Sequence, residues 1–136
     1  MEPKLEIKSI LLVDDNQTIR TLMKLALTQS FEVYLADSGE TCIEIAEAKQ
    51  PDAILLDVKM PGLDGPATLS RLRSKTQTAK IPIIFVTASV QSQELAEYKN
   101  YSVAGIIQKP FDPLELAGLI REICSNAAAC QETNHR

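Results

Sequence analysis

The chain has 136 residues, 14 of them Lys or Arg and 18 Asp or Glu, for a formal charge of −4. That length holds one ordinary domain and excludes a multidomain enzyme. Hydrophobic residues make up 45%, charged residues 24% and aromatic residues 4%, the composition of a soluble domain with an aliphatic core.

The first residues, Met-Glu-Pro-Lys-Leu-Glu-Ile-Lys, lack the apolar region and cleavage site of a secretory signal, so a cytoplasmic protein is expected. An apolar run over 10–13 reads as a first strand. Asn16 is placed to cap a helix whose apolar side carries Ile19, Leu22, Met23 and Ala26. A second strand covers 32–36, and Asp37 with Glu40 suggests a loose capping box for a helix bearing Cys42, Ile45 and Ala46, which Pro51-Asp52 ends. A third strand covers 53–56 and is followed by a helix with Leu69 and Leu72 on its inner side. There Arg71, Arg73 and Lys75 alternate with Leu72 and Ser74 and read as the solvated face. A fourth strand covers 83–86. Residues 91–100 give the weakest helical pattern, with only Leu95, Ala96 and Tyr98 to form an apolar side. After a fifth strand over 105–107, Asp112-Pro113-Leu114-Glu115 supplies an N-cap acid, a proline at the first helical position and a glutamate at the third. They lead into a helix with Leu116, Leu119, Ile120 and Ile123. The domain is therefore assigned to 1–125, and 126–136 to a short tail, flexible or a frayed extension of the last helix.

Strand and helix alternate five times, which parallel pairing through right-handed crossovers satisfies best, with helices on both faces of one sheet. The strands are apolar throughout, as they must be when both faces are covered. The longest apolar stretch, 81–86, falls far short of the roughly 20 residues that cross a bilayer, so no membrane insertion is expected. No clustered basic face is present, which argues against nucleic acid as a partner. Cys42, Cys124 and Cys130 form an odd set with no C-x-x-C spacing, and the single His135 is next to the end, so neither a disulfide framework nor a zinc site is indicated.

In an open α/β sheet the ligand site lies outside the carboxyl ends of the strands. Asp14 and Asp15 follow the first strand, Asp57 the third, Thr87 the fourth and Lys109 the fifth. Four strand ends thus bring three carboxylates, a hydroxyl and an ammonium to one rim. Three carboxylates in close company repel, and burial makes ionisation worse, so the arrangement calls for a cation. Oxygen ligands on short loops suit Mg²⁺. A carboxylate beside Mg²⁺, faced by an ammonium and a hydroxyl, is also what in-line phosphoryl transfer needs.

These residues resemble a receiver domain of the two-component response regulators, of the stand-alone single-domain type. The resemblance covers about 8–124 and rests on Leu-Val-Asp-Asp-Asn, on Leu-Leu-Asp-Val-Lys-Met-Pro-Gly-Leu-Asp-Gly, on Val-Thr-Ala-Ser and on Gln-Lys-Pro-Phe. It implies a flavodoxin-like doubly wound (βα)5 fold with strand order 2-1-3-4-5. Asp57 would be the phosphoacceptor, taking its phosphoryl group from a histidine kinase or histidine phosphotransfer protein. Asp15 would ligate Mg²⁺ directly and Asp14 through water, with Asp57 and the Lys59 backbone carbonyl in the same set. Thr87 would contact the phosphoryl group and Lys109 would pair with it. The Lys109-Pro110 bond would be cis, and Pro61, Gly62 and Gly65 would shape the loop, glycine for positive φ. Such a domain catalyses only its own phosphorylation and slow dephosphorylation and is not an enzyme in the usual sense. Phosphorylation would shift the surface of the helix over 91–100, the fifth strand and the last helix toward a downstream protein. Arg20 and Lys24 are candidates for contact with the donor, against the alternative of a solvated helix face. Lys59 and Ser89 flank the path of an attacking water, and neither is a carboxylate or amide, which implies a moderate to long phosphoryl lifetime.

Two departures stand out. Where the family carries Tyr or Phe three residues before the lysine, this chain has Ile106, and Ser102-Val103 replaces the usual Gly-Ala. A phosphorylation-independent binding module on the same fold is therefore one alternative. A haloacid-dehalogenase-like phosphatase is another, since Asp14-Asp15-Asn16-Gln17-Thr18 approximates its D-x-D-x-T loop, but Asn16 cannot serve as the acid that chemistry needs. An FMN carrier of flavodoxin type is disfavoured because Asp14 and Asp15 would repel a phosphate at the first loop. After Cys124 only 12 residues follow, so in a complete chain the output would have to be protein contact or onward phosphoryl transfer.

Overall fold

The computed structural model describes residues 6–88, 96–98 and 101–133, with side chains to 127. The apolar runs form five strands, β1 (Ser9–Val13), β2 (Glu32–Ala36), β3 (Ala53–Asp57), β4 (Ile83–Thr87) and β5 (Gly105–Gln108). Four helices accompany them, α1 (Gln17–Leu27), α2 (Gly39–Lys49), α3 (Gly65–Arg73) and α4 (Leu116–Thr133). All pairings are parallel and the order is β2-β1-β3-β4-β5, the flavodoxin-like doubly wound arrangement. Of the weak helical stretch over 91–100, only 96–98 is described, and it is helical. Ser89, the Cys130 side chain and His135 lie outside the described residues.

Because side chains alternate across a strand, each strand feeds two cores. Leu11, Val13, Ile54, Leu56, Ile83 and Phe85 face α2 and α3 and meet Cys42, Ala46, Leu69 and Leu72. Ile10, Leu12, Leu55, Ile84, Val86 and Ile107 face α1 and α4 and meet Met23, Leu27, Leu116 and Ile120. Each Val, Leu, Ile, Met or Phe among them, fully buried, contributes about 1.5–3 kcal/mol relative to exposure. The two layers of apolar packing fix the register, and the register fixes which residues reach the rim.

The ends of the elements show where local chemistry differs from the sequence expectation. Asn16 caps α1, its side chain accepting from the Ile19 amide at 3.1 Å. The α2 cap is Ser38 and not Asp37: its oxygen accepts from the Thr41 amide at 3.2 Å. Asp37 directly follows β2, whereas Ser38 is the last extended residue before the helix and so occupies the capping position. Gly39 then allows α2 to start against the loop after β3, since a Cβ there would lie 2.8 Å from the Leu63 carbonyl oxygen. Asp112 accepts from the Leu114 amide at 2.9 Å, but the chain makes a tighter turn, Glu115 N–H to Asp112 C=O, and α4 begins at Leu116. The backbone of α4 continues to Thr133.

Arg73 corrects the expectation of a solvated basic face. Its guanidinium is half-buried and donates to the carbonyls of Ala79 (2.9 Å), Ile81 (2.8 Å) and Ser102 (2.9 Å), tying α3 to the chain on either side of β4. Lys75 does remain outside, paired with Glu47 at 2.7 Å, and Arg71 is exposed.

Candidate functional site

Parallel register brings the carboxyl ends of the strands together. Val13 stands beside Leu56, Asp57 beside Val86, and Thr87 beside Gln108, so Asp14, Asp57, Thr87 and Lys109 converge on one edge of the sheet. The Lys109 amide donates to the Thr87 carbonyl at 2.8 Å, extending the ladder to the lysine itself. Thr87 is buried at the end of β4, on the same face as Phe85. The predicted cis bond is present at Lys109-Pro110.

Asp14 is 1% exposed and every polar group it has is occupied. Its amide donates to the Ala36 carbonyl at 3.2 Å, and its own carbonyl accepts from the Arg20 guanidinium at 2.7 Å. One carboxylate oxygen accepts from the Asn16 amide at 2.9 Å, the other from Lys109 Nζ at 2.9 Å. Asp57 is 6% exposed, with Lys109 Nζ at 3.6 Å. Asp15 is exposed at the mouth of the site. A carboxylate oxygen from each of the three acids lies within 4.8 Å of the others, a cluster that could hold a metal ion.

The electrostatics follow from that crowding. Burial, first, and the charge of Asp14, second, push the Asp57 carboxyl up to about 6, with Asp15 adding to the effect and Lys109 pulling against it. For Lys109 burial works against the charged form, but its hydrogen bond to Asp14 and the charges of Asp57 and Asp14 outweigh that, and its pKa is raised. Lys109 thus pairs with two of the three carboxylates, Asp14 and Asp57, and negative charge remains in excess over it in a partly dry setting. A hard divalent cation with oxygen preference fits the vacancy in charge, as the sequence led one to expect.

The loop after β3 is shaped for this edge. Gly62 has φ +75°, a left-handed conformation that glycine adopts without strain. Gly65 does not share it. A Cβ at Gly65 would approach the Val58 Cα to 2.7 Å and the Asp57 carbonyl oxygen to 3.0 Å, and its amide donates to the Val58 carbonyl at 2.8 Å. Glycine is needed there for close packing of the α3 start onto the strand bearing Asp57, which corrects the expectation of positive φ. Asp64 caps α3, accepting from the Ala67 amide at 3.0 Å. Lys59 is exposed on this loop, two residues beyond Asp57.

Sequence reasoning placed the acids, Thr87 and Lys109 on this rim but missed the role of Arg20, offered as a donor contact or a solvated residue. A signal was available: the first turn of α1 holds no acidic residue and does hold this arginine, which the helix dipole disfavours at an N-terminal end. The Tyr98 and Tyr101 rings beside Phe85 were also unforeseen as a cluster, with centroids 5.8 and 5.9 Å from it.

A parallel sheet of this order with acids at the ends of β1 and β3 and Lys109 after β5 defines a receiver domain. The family described as response regulator receiver domain matches residues 10–121, and the chain belongs to it. Among curated proteins it is similar to the alkaline phosphatase synthesis transcriptional regulatory protein PhoP of Bacillus subtilis (strain 168). The two are 34% identical over 117 residues, 85% of this chain and 48% of that protein. The chain spans about half the length of the curated relatives it matches. Among solved structures, chemotaxis response regulator CheY4 of Vibrio cholerae superimposes with a TM-score of 0.79 at 27% identity, covering 87% of this chain and 99% of that one. The receiver domain of sensor histidine kinase PA1611 from Pseudomonas aeruginosa PAO1 gives 0.78 at 29% identity, over 88% of this chain and 100% of its own. That structure has a magnesium ion coordinated in its active site cleft. Among the described residues no helix is long and apolar enough to cross a membrane.

Proposed function

We propose that this receiver domain, part of two-component phosphorelay signalling, accepts a phosphoryl group on Asp57 from a phosphohistidine of a kinase or phosphotransfer protein in a Mg²⁺-dependent step. The observation that carries this is the rim itself: a buried Asp57 flanked by Asp14 and Asp15 and faced by Lys109. Asp14, Asp15, Asp57 and the Lys59 carbonyl would hold the ion, which when bound neutralises charge on the acids and on the phosphoryl oxygens. The Asp57 carboxylate oxygen forms the new O–P bond as the donor's N–P bond breaks. The imidazole leaves with the bonding pair and takes a proton from solvent. Lys109, already between Asp14 and Asp57, pairs with the added charge, and the Thr87 hydroxyl contacts the phosphoryl group. The domain acts on itself, with no other substrate turned over, and since neither Lys59 nor Ser89 is a carboxylate or amide that would position an attacking water, its phosphoryl lifetime is moderate to long.

Similarity to a magnesium-bearing receiver domain, and to kinases that contain such domains, among them sensor histidine kinase TmoS, supports the choice of cation and donor. The phosphoaspartate would bias the surface of β5 and α4 toward a downstream protein. Incubation with acetyl phosphate and Mg²⁺, followed by intact-mass measurement, should add one phosphoryl group to the wild type and none to Asp57→Asn. Equal behaviour of the two proteins would instead favour a binding module that works without phosphate.

A further inference from the structure

Asp14 and Asp15 are neighbours in sequence but are held very differently. Asp14 is fixed through its amide, its carbonyl and both carboxylate oxygens. The Asp15 carboxylate is exposed and accepts no hydrogen bond from any described residue. What the protein holds in place for Asp15 is therefore its backbone, through the peptide plane that joins it to Asp14 and so places its Cα. The oxygen of that peptide is the Asp14 carbonyl, which the Arg20 guanidinium holds at 2.7 Å.

We propose that Arg20 is a positioning residue: by anchoring the Asp14–Asp15 peptide it keeps the Asp15 backbone where the carboxylate can reach the proposed cation site. Its placement supports the assignment. A cation in the first turn of α1 opposes the helix dipole, so this position is unfavourable for arginine unless something nearby offsets the cost. The adjoining acids do so. Arginine is also suited to the task, because its rigid planar fork loses little freedom per bond formed, and backbone contact leaves its charge intact. Side chains beyond the first ligand shell that orient a ligand act chiefly on metal affinity.

The inference rests on the proposed Mg²⁺ site, and the experiment separates the two. Mn²⁺ binding, followed by the free-ion EPR signal, would be measured for the wild type, Arg20→Met, Arg20→Lys, Asp15→Asn and the Arg20→Met/Asp15→Asn pair. Thermal unfolding without metal would verify folding of each. Arg20→Met should weaken Mn²⁺ about 10-fold, Arg20→Lys should recover most of the loss by restoring one N–H, and Arg20→Met should cost nothing further once Asp15 is Asn. Labelling by acetyl phosphate should return to the wild-type rate at saturating Mg²⁺, because affinity and not chemistry is lost. Wild-type affinity in Arg20→Met, or additive losses in the pair, would overturn the role of Arg20. Absence of binding by the wild type would overturn the metal site itself, and the positioning role with it.

Discussion

The two ends of the rim are built by different means. At the acid end, around β1 and β3, position is set by hydrogen bonds: Asp14 has all its polar groups engaged, and Gly65 lets α3 begin against Asp57. Along the flank of β4 and β5, away from Lys109, position is set by volume. Phe85 is fully buried, stands in register with Ile106, and takes Tyr98 edge-on at 82° and Tyr101 at 67°. The aromatic residue that the family resemblance leads one to expect at 106 is absent, but three rings gather on the same side of β4. Polar sites tolerate little relocation because each bond needs its own geometry, whereas apolar volume can be redistributed among neighbours.

Lys109→Met breaks the polar end most severely. It keeps the aliphatic stem and leaves the buried Asp14 and Asp57 without their cation, so denaturant unfolding in metal-free buffer should show a loss of about 3 kcal/mol. Added Mg²⁺ should return part of it.

pH sharpens the same contrast. With Asp57 at about 6 in the metal-free fold and 3.8 as its ordinary value, the folded state holds this proton more tightly than the unfolded chain does. The Asp57 contribution to metal-free stability is thus present below about pH 4 and lost as pH rises through 6. Metal affinity runs the opposite way, falling as pH drops from 7 to 5, because a protonated Asp57 competes with the cation. Paired titrations of thermal stability and Mg²⁺ affinity would show the two trends crossing, and in Asp57→Asn both should flatten.

Changes at the apolar end should be milder and leave phosphorylation intact. Ile106→Tyr adds a ring beside Phe85 and should destabilise by about 1–3 kcal/mol if the added volume is not accommodated. Acetyl phosphate labelling should stay at the wild-type rate, since no polar atom of the acid end has moved. Smallest of all, Tyr101→Ala removes one edge-to-face contact and should cost about 1 kcal/mol in thermal unfolding. A large loss of labelling in either variant would mean that the two ends are not separately built.

Much of this was legible in the sequence because it depends on period and position. Alternation of strand and helix gave the layers, and the residues ending each strand gave the rim. What escaped depends on contacts across space. Nothing in the spacing of Arg71, Arg73 and Lys75 shows that the middle one turns inward to three carbonyls. Ser38 and Asp37 are both good caps, and only the extended backbone at Ser38 decides between them. Gly65 was recognised as necessary but for the wrong cause, since a close approach of two backbones leaves the same mark in sequence as a left-handed turn. The proline turn before α4 delays the helix because Asp112 closes a four-residue turn with Glu115 first.

The Arg73 clamp has a mechanical consequence for the edge of the sheet. β5 is held on its strand side by β4 alone, and the chain entering it is fastened at Ser102 to an arginine 29 positions earlier. This closes the crossover from α3 to β5 into a hydrogen-bonded ring, so the edge strand is secured by a side chain as well as by its ladder. A force on β5 would therefore reach the end of α3 through the Arg73 guanidinium at one end of the strand, as it reaches Asp14 through Lys109 at the other.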